Sequence, residues 1–341
     1  MSKLTPQTEF AGPLGLLPTR PRPQSRGQLS LNPKLTLSVV LVLLIVFFTA
    51  SQPNFLTFDN FLNIARLQAV PLILAVGMTM VVLTGGADLS VGSALALSGV
   101  IAGLLYVNGV PAPAVIMLAV LCGILLGLLN GLLIGALGMS FFVVTLGTLA
   151  GYRSLALVAS DGASIQLGEA PLLLTIGDGS IGILPIPVML AALVTVFGHL
   201  ALSGTGWGRK IYAVGSNREA ARLAGIRVNR VLVSVYVTSG LLAGLASVIQ
   251  IGRLTTASPV VGTGIELQVI AAVLLGGTIL SGGSGGLGGT VLAVLMLGVL
   301  QNGLTLSGTP DFWQGAITGA ILIVAVFLDH LQRRRRGLAE N

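Results

Sequence analysis

Residues 207–231 read WGRKIYAVGSNREAARLAGIRVNRV, a basic loop set between two long apolar runs. The loop holds six of the eighteen Lys and Arg residues and a single acid, Glu219. Charge at that density does not cross a bilayer cheaply, so the loop lies outside the hydrocarbon, and the positive-inside rule turns it toward the cytoplasm. Once it is anchored there, every crossing on either side acquires a direction.

The loop also carries the local signals of a short helix. Ser216 with Glu219 three residues later reads as a capping box, the residues from Asn217 to Ala224 are mostly good helix formers, and Gly225 suits the position just past a helix end. So short a helix is marginal in water and needs a surface to dock on. Ala220, Leu223 and Ala224 form a small apolar face, with Arg218 and Arg222 four apart on another side. A small apolar knob with a basic flank suits insertion into a cleft on a partner.

Outward from the loop, composition sets the class. The 341 residues are 54% hydrophobic and only 9% charged, and mean hydropathy is +0.96. With repeated apolar runs of about twenty residues, this is an all-α polytopic membrane protein rather than a soluble enzyme. The net charge of +7 does not indicate nucleic acid, because the bases fall in clusters at expected cytoplasmic positions. The single cysteine, Cys122, excludes a disulfide framework, and His199 and His330 cannot assemble a metal site, so no metal or other cofactor is expected. None of Lys3, Lys34 and Lys210 follows a P-loop glycine pattern, so any ATP hydrolysis belongs to another chain.

About ten crossings are expected. Residues 1–34, with six of the fifteen prolines, read as a disordered cytoplasmic tail, and 35–329 as the transmembrane domain. Spans are placed at 35–50, 67–84, a third ending near 106, 114–137, 139–160, 187–202, 231–251, 267–280, 290–306 and a tenth ending at 329. The basic run 333–336 lies in a cytoplasmic tail at 330–341, so both termini face inside. Residues 161–183 form a polar outer connection with three acids and no base. Gly123, Gly127, Gly131 and Gly135 recur every four residues and read as a close-packing face of the fourth span.

One internal repeat is visible. Residues 85–93, GGADLSVGS, and 276–284, GGTILSGGS, share six of nine positions, and each ends a span running inward. Two related halves with broken, glycine-rich helices would suit a transporter, since unwound backbone at membrane depth offers polar groups to a solute. Asp88, Ser90, Ser93, Ser281 and Ser284 are the candidate translocation-path residues. Asp88 with Ser90 can also be read simply as capping the third helix. Arg153 is expected to pair with Asp161 or Glu169 or to contact solute or a binding protein, and Glu266 to cap the eighth helix.

Ser216-Asn217 followed by Glu219-Ala220-Ala221 and Gly225-Ile226 resembles the cytoplasmic coupling loop of ABC importer permeases, more narrowly those of ribose-type sugar importers. Residues 85–93, Gly147-Thr148-Leu149 with Tyr152-Arg153, Gly264 with Glu266-Leu267, residues 270–277 and Asn302-Gly303-Leu304 also look like that family. Gln268 stands where the family often has an acid and Ser284 where it often has a base, which bears on the solute rather than the class. The resemblance implies that Ser216, Asn217, Glu219, Ala220, Ala221, Leu223, Ala224 and Gly225 meet an ABC ATPase subunit. It also implies a solute-binding protein, a second permease subunit in a homo- or heterodimer, residence in the bacterial inner membrane, and import of a sugar or sugar-like solute.

Two other classes compete. An ion-coupled secondary transporter would want several intramembrane acids, and only Asp88 and Glu266 qualify. An intramembrane serine protease is hinted at by Gly282-Gly283-Ser284-Gly285, but it requires a base at the serine, and the only later histidine, His330, adjoins the Arg run.

Overall fold

In lipid the backbone must satisfy its own polar groups, so each apolar run closes into a helix. The computed structural model describes residues 33–310 together with positions 313, 315–317, 319 and 320. Its helices are Pro33–Ser51 (α1), Phe58–Leu83 (α2), Val91–Val107 (α3), Ala112–Gly131 (α4), Phe141–Ala159 (α5), Pro171–Asp178 (α6), Ile186–Gly204 (α7), Gly206–Ser216 (α8), Arg218–Leu223 (α9), Val228–Leu254 (α10), Ile265–Leu275 (α11) and Leu287–Leu306 (α12). A π-helical turn, Leu132–Ala136, extends α4. The first nine expected spans match α1 to α5, α7 and α10 to α12 in order. Residues 1–32, most of the tenth span and the basic tail 330–341 fall outside the described residues.

Among the described residues six helices are long and apolar enough to cross a membrane: α2, α4 with its π turn, α5, α7, α10 and α12. Shorter apolar helices accompany them, and α11, with eleven residues, is only about 16 Å long against the ~30 Å hydrocarbon core. It is broken at both ends.

Burial sorts the bundle into two shells. α2, α3, α10 and α12 are mostly buried, whereas α4, α5 and α7 turn large apolar side chains such as Met117, Phe142, Val158 and Phe197 outward. Such side chains suit lipid, and packing inside must come from close contact rather than from hydrophobic exclusion. The glycine stripe of α4 supplies that contact. A Cβ on Gly127 would run into Gly240 and the carbonyl of Tyr236, and one on Gly123 into Gly240 and Gly244, so α4 and α10 meet backbone to backbone.

The connection at 161–183, expected only as a polar loop, is folded. Ile165–Gln166 pairs antiparallel with Thr256–Ala257, Ser180–Ile181 pairs with Leu184–Pro185, and α6 lies between them. Leu173 of α6 is fully buried and its carbonyl lies against Gly252 of α10. Arg66 of α2 meets Asp178 at 3.2 Å, tying this cap to the bundle.

Candidate functional site

The basic loop contains two helices rather than one. Thr205 starts α8 by accepting from Gly208 N at 3.1 Å. Trp207, Ile211 and Val214, at helical spacing, turn inward; that period was legible in the sequence, but the density of bases made the segment read as loop. Trp207 Nε1 donates to Ser234 Oγ at 2.7 Å, which holds α8 on α10. Tyr212 Oη donates to the Gly285 carbonyl at 3.1 Å, which holds it on the second glycine-rich break.

The expected capping box does not form. Ser216 is the last residue of α8 and donates back to Tyr212 O at 2.9 Å. Asn217 caps α9 instead, its Oδ1 accepting from Ala220 N at 2.9 Å. Asn217 outranks Ser216 here because its extended backbone (φ −161°) is free to turn, while Ser216 is still helical. Glu219 then pairs with Arg222 at 3.2 Å rather than reaching back to residue 216. At the other end Gly225 takes φ +79°, Gly225 N donates to Arg222 O and Ile226 N to Ala221 O, a Schellman closure.

The faces of α9 divide cleanly. Ala221 is buried against the body of the protein, so it anchors the helix rather than presenting it. Ala220, Leu223 and Ala224 are exposed, and Leu223 is 89% exposed. The apolar face expected from the spacing is thus left bare by the fold.

Beneath α8 and α9 the two repeats meet. Each copy ends its helix with the same pair of bonds: Gly85 N to Val82 O and Gly86 N to Val81 O in the first, Gly277 N to Leu274 O and Thr278 N to Val273 O in the second. The left-handed residue is the first glycine of its pair in one copy, Gly85 at φ +75°, and the second in the other, Gly277 at φ +85°. The repeat is therefore offset by one residue in space. It also diverges afterward, because α3 starts at Val91 whereas α12 waits until Leu287.

The two breaks touch each other and the end of α8. Gly283 N donates to the Leu83 carbonyl at 2.9 Å. A Cβ on Gly215 would collide with that carbonyl and with Gly283 N, so only glycine lets the three strands of backbone converge. Arg218, the first residue of α9, donates to Thr84 O at 3.3 Å. The end of α8 thus touches both breaks through backbone, and the start of α9 reaches the first through the Arg218 side chain.

The candidate path residues do not form one set. Asp88 is only 2% exposed; its Oδ1 accepts from Ser90 N at 3.1 Å and Ser90 Oγ at 2.7 Å, and its Oδ2 from Ser239 Oγ at 2.9 Å. Asn130 of α4 donates to Ser90 Oγ at 2.8 Å, and Ser93 Oγ to Ser90 O at 2.9 Å. The space around Asp88 leaves no room for a water-sized solute. The carboxylate thus ties the first break to α10, and Ser90 carries the link on to α4, in this packing. Ser281 and Ser284 are exposed near the second break, and Ser284 lines a cavity of about 380 Å³ with His199, Tyr212 and Gly285. No hydrogen bond joins Ser284 to His199 among the described residues, which do not include His330.

At the opposite end, Arg153 does not pair with Asp161 or Glu169. Its Nη1 donates to Pro259 O at 2.6 Å and Val261 O at 2.8 Å, clasping the segment that leads into α11. Those carbonyls are exposed by a turn whose geometry no local pattern announced. Glu266 accepts from Gly264 N at 3.1 Å, at the start of its own helix.

Comparison with known proteins places this geometry in context. A family model described as branched-chain amino acid transport system / permease component matches residues 60–326. The chain is 42% identical over 290 residues to the ribose import permease protein RbsC of Bacillus subtilis, covering 85% of this chain and 90% of that one. It is 39% identical over 295 residues to RbsC of Escherichia coli, covering 86% and 92%. It is also 35% identical over 297 residues to the D-allose transport system permease protein AlsC of Escherichia coli, covering 87% and 91%. No solved structure matches at a significant level.

Proposed function

The chain belongs to the family of ABC transporter permeases that includes the ribose permeases, and on that premise we propose that it is the membrane subunit of an ATP-driven sugar importer. It takes a sugar or sugar-like solute from an external binding protein and releases it on the cytoplasmic side of the inner membrane. The names of its relatives, ribose and D-allose permeases, favour a neutral monosaccharide. Drive comes from a separate ATPase subunit, and a second permease subunit completes the path.

The observation that carries this is the bare Leu223 knob on a helix whose first residue, Arg218, is bonded to Thr84 at the first glycine break, which is bonded in turn to the second through Leu83 O and Gly283 N. An exposed leucine flanked by bases on a rigidly capped helix suits a cleft in a soluble partner. When that partner moves, α9 pulls on Thr84 through Arg218 and on Leu83 and Gly283 through Gly215. Asp88, Ser90 and Ser239 then serve as the lock that holds the first break to α10, and the serines near the second break border the inner cavity. A gradient-driven carrier is disfavoured by family membership and by the engagement of Asp88 with neutral hydroxyls.

The test is co-purification in detergent of the chain with its candidate ATPase, wild type against Leu223→Asp. Because Leu223 touches little of its own protein, the variant should fold normally and lose the ATPase. Equal retention of the ATPase by a folded variant would rule out α9 as the coupling element.

A further inference from the structure

Polar side chains between the far ends of α2, α11 and α12 are bonded in two contrasting ways. Asn60 and Asn302 form a closed pair: each Nδ2 donates to the other's Oδ1 at 2.9 Å. The neighbouring carboxamides are left open. Gln68 Nε2 and Gln268 Nε2 both point at one oxygen, Gln301 Oε1, at 3.3 and 3.4 Å, long for such bonds. Gln68 is 6% exposed, yet its Oε1 has no hydrogen-bond partner.

An unpartnered carboxamide oxygen at membrane depth is costly, and membrane bundles keep such groups where they face a cavity or a ligand. Here room has been made for it. A Cβ on Gly298 would fall against Cγ and Cδ of Gln68, so that glycine gives the side chain its place. Gln268 sits in the first turn of α11, the helix broken at both ends and too short to span the hydrocarbon by itself. Discontinuous helices are where transporters build solute sites. Gln268 and Gln301 are half-buried, so the group of three reaches the surface of the subunit rather than closing inside it.

We infer that Gln68, Gln268 and Gln301 form a hydrogen-bonding station for the hydroxyl groups of a neutral polyol, in the half of the membrane that receives the solute. This rests on the sugar-importer assignment above. A carboxamide both donates and accepts, and so does a hydroxyl, so neighbouring hydroxyls of a sugar can take the free oxygen of Gln68 and relieve the crowding at Gln301. None of the three side chains is charged, which suits an uncharged sugar and offers nothing specific to a carboxylate or phosphate. The contacts are few and the bonds long, as a transient stop on a path requires.

The experiment uses the permease reconstituted in proteoliposomes with its ATPase and binding protein, with D-ribose, D-allose and D-xylose as probes. Gln68→Leu, Gln268→Leu and Gln301→Leu are compared with wild type and with Asn302→Leu. Each glutamine variant should lower ATP-dependent uptake about tenfold, the factor carried by one hydrogen bond to a buried group. ATPase stimulation by the loaded binding protein should stay near the wild-type level. Gln68→Leu should also unfold at a higher temperature than wild type, since it removes an unsatisfied oxygen, whereas Asn302→Leu should unfold at a lower one. Unchanged uptake in the three variants overturns the station, as does a loss of stability in all three that parallels Asn302→Leu. If wild type forms the complex but imports none of the sugars, it is the sugar-importer assignment that has failed.

Discussion

Leu83 and Gly283 lie two hundred positions apart and share a backbone hydrogen bond of 2.9 Å, the carbonyl at the end of α2 accepting from an amide in the break before α12. The bond joins the two copies of the repeat just where Gly215 presses against both. It makes one mechanical unit of the two breaks and the base of α9.

Gly215→Ala tests that unit. The added methyl meets a backbone carbonyl that cannot rotate away, so the variant should lose about 1–3 kcal/mol of stability, as overpacking does. In reconstituted vesicles it should bind the ATPase through an intact α9 yet import poorly. Wild-type uptake by this variant would show that the three segments need not touch during transport.

Asn217→Ala and Ser216→Ala should differ. Only Asn217 caps α9, so its loss should cost about 1 kcal/mol of local stability and speed amide hydrogen exchange at Ala220. Ser216→Ala should leave that exchange unchanged, because its hydroxyl serves α8. Equal acceleration in both variants would restore the capping box.

Asp88→Ala strands the hydroxyls of Ser90 and Ser239 in a buried site and should cost about 1–3 kcal/mol. Asp88→Asn keeps the shape, and hydroxyls can turn to meet an amide, so it should fall between wild type and alanine in thermal unfolding. Were Asp88 an ion relay instead, the asparagine variant would abolish uptake while keeping full stability.

Gly127→Leu should be the most damaging of these changes, at or beyond the upper end of the roughly 1–3 kcal/mol of overpacking, because it forces α4 off Gly240 and the Tyr236 carbonyl. Gly151, whose added Cβ would meet nothing, should accept alanine with little effect. Monodispersity in detergent after a heat step reads out both. Similar behaviour of the two would mean the stripe is not a packing face.

Arg153→Met should free the segment before α11 by removing its grip on Pro259 O and Val261 O. Proteolysis within 255–264 should quicken, with the bundle itself unaffected. A cleavage rate equal to wild type would mean the two-stranded pairing at Thr256–Ala257 holds the segment alone.

The membrane class, the order of the described crossings and the helix-ending role of Gly225 were legible in the sequence, because hydropathy, charge density and left-handed glycine geometry act over a few neighbouring residues. The glycine stripe of α4 was legible for the same reason, since a spacing of four puts small residues on one helical face whatever lies opposite. The tertiary structure alone decided that the stripe meets Gly240, that Asn217 rather than Ser216 caps α9, and that Arg153 holds two carbonyls instead of an acid. It alone brought Gln68, Gln268 and Gln301 together and offset the two repeats by one residue. The Arg153 and glutamine contacts are choices of hydrogen-bond partner between distant segments, and where water is excluded the partner is whichever polar group the packing of whole helices brings within 3 Å or so, while the Asn217 cap was decided by where α8 stops.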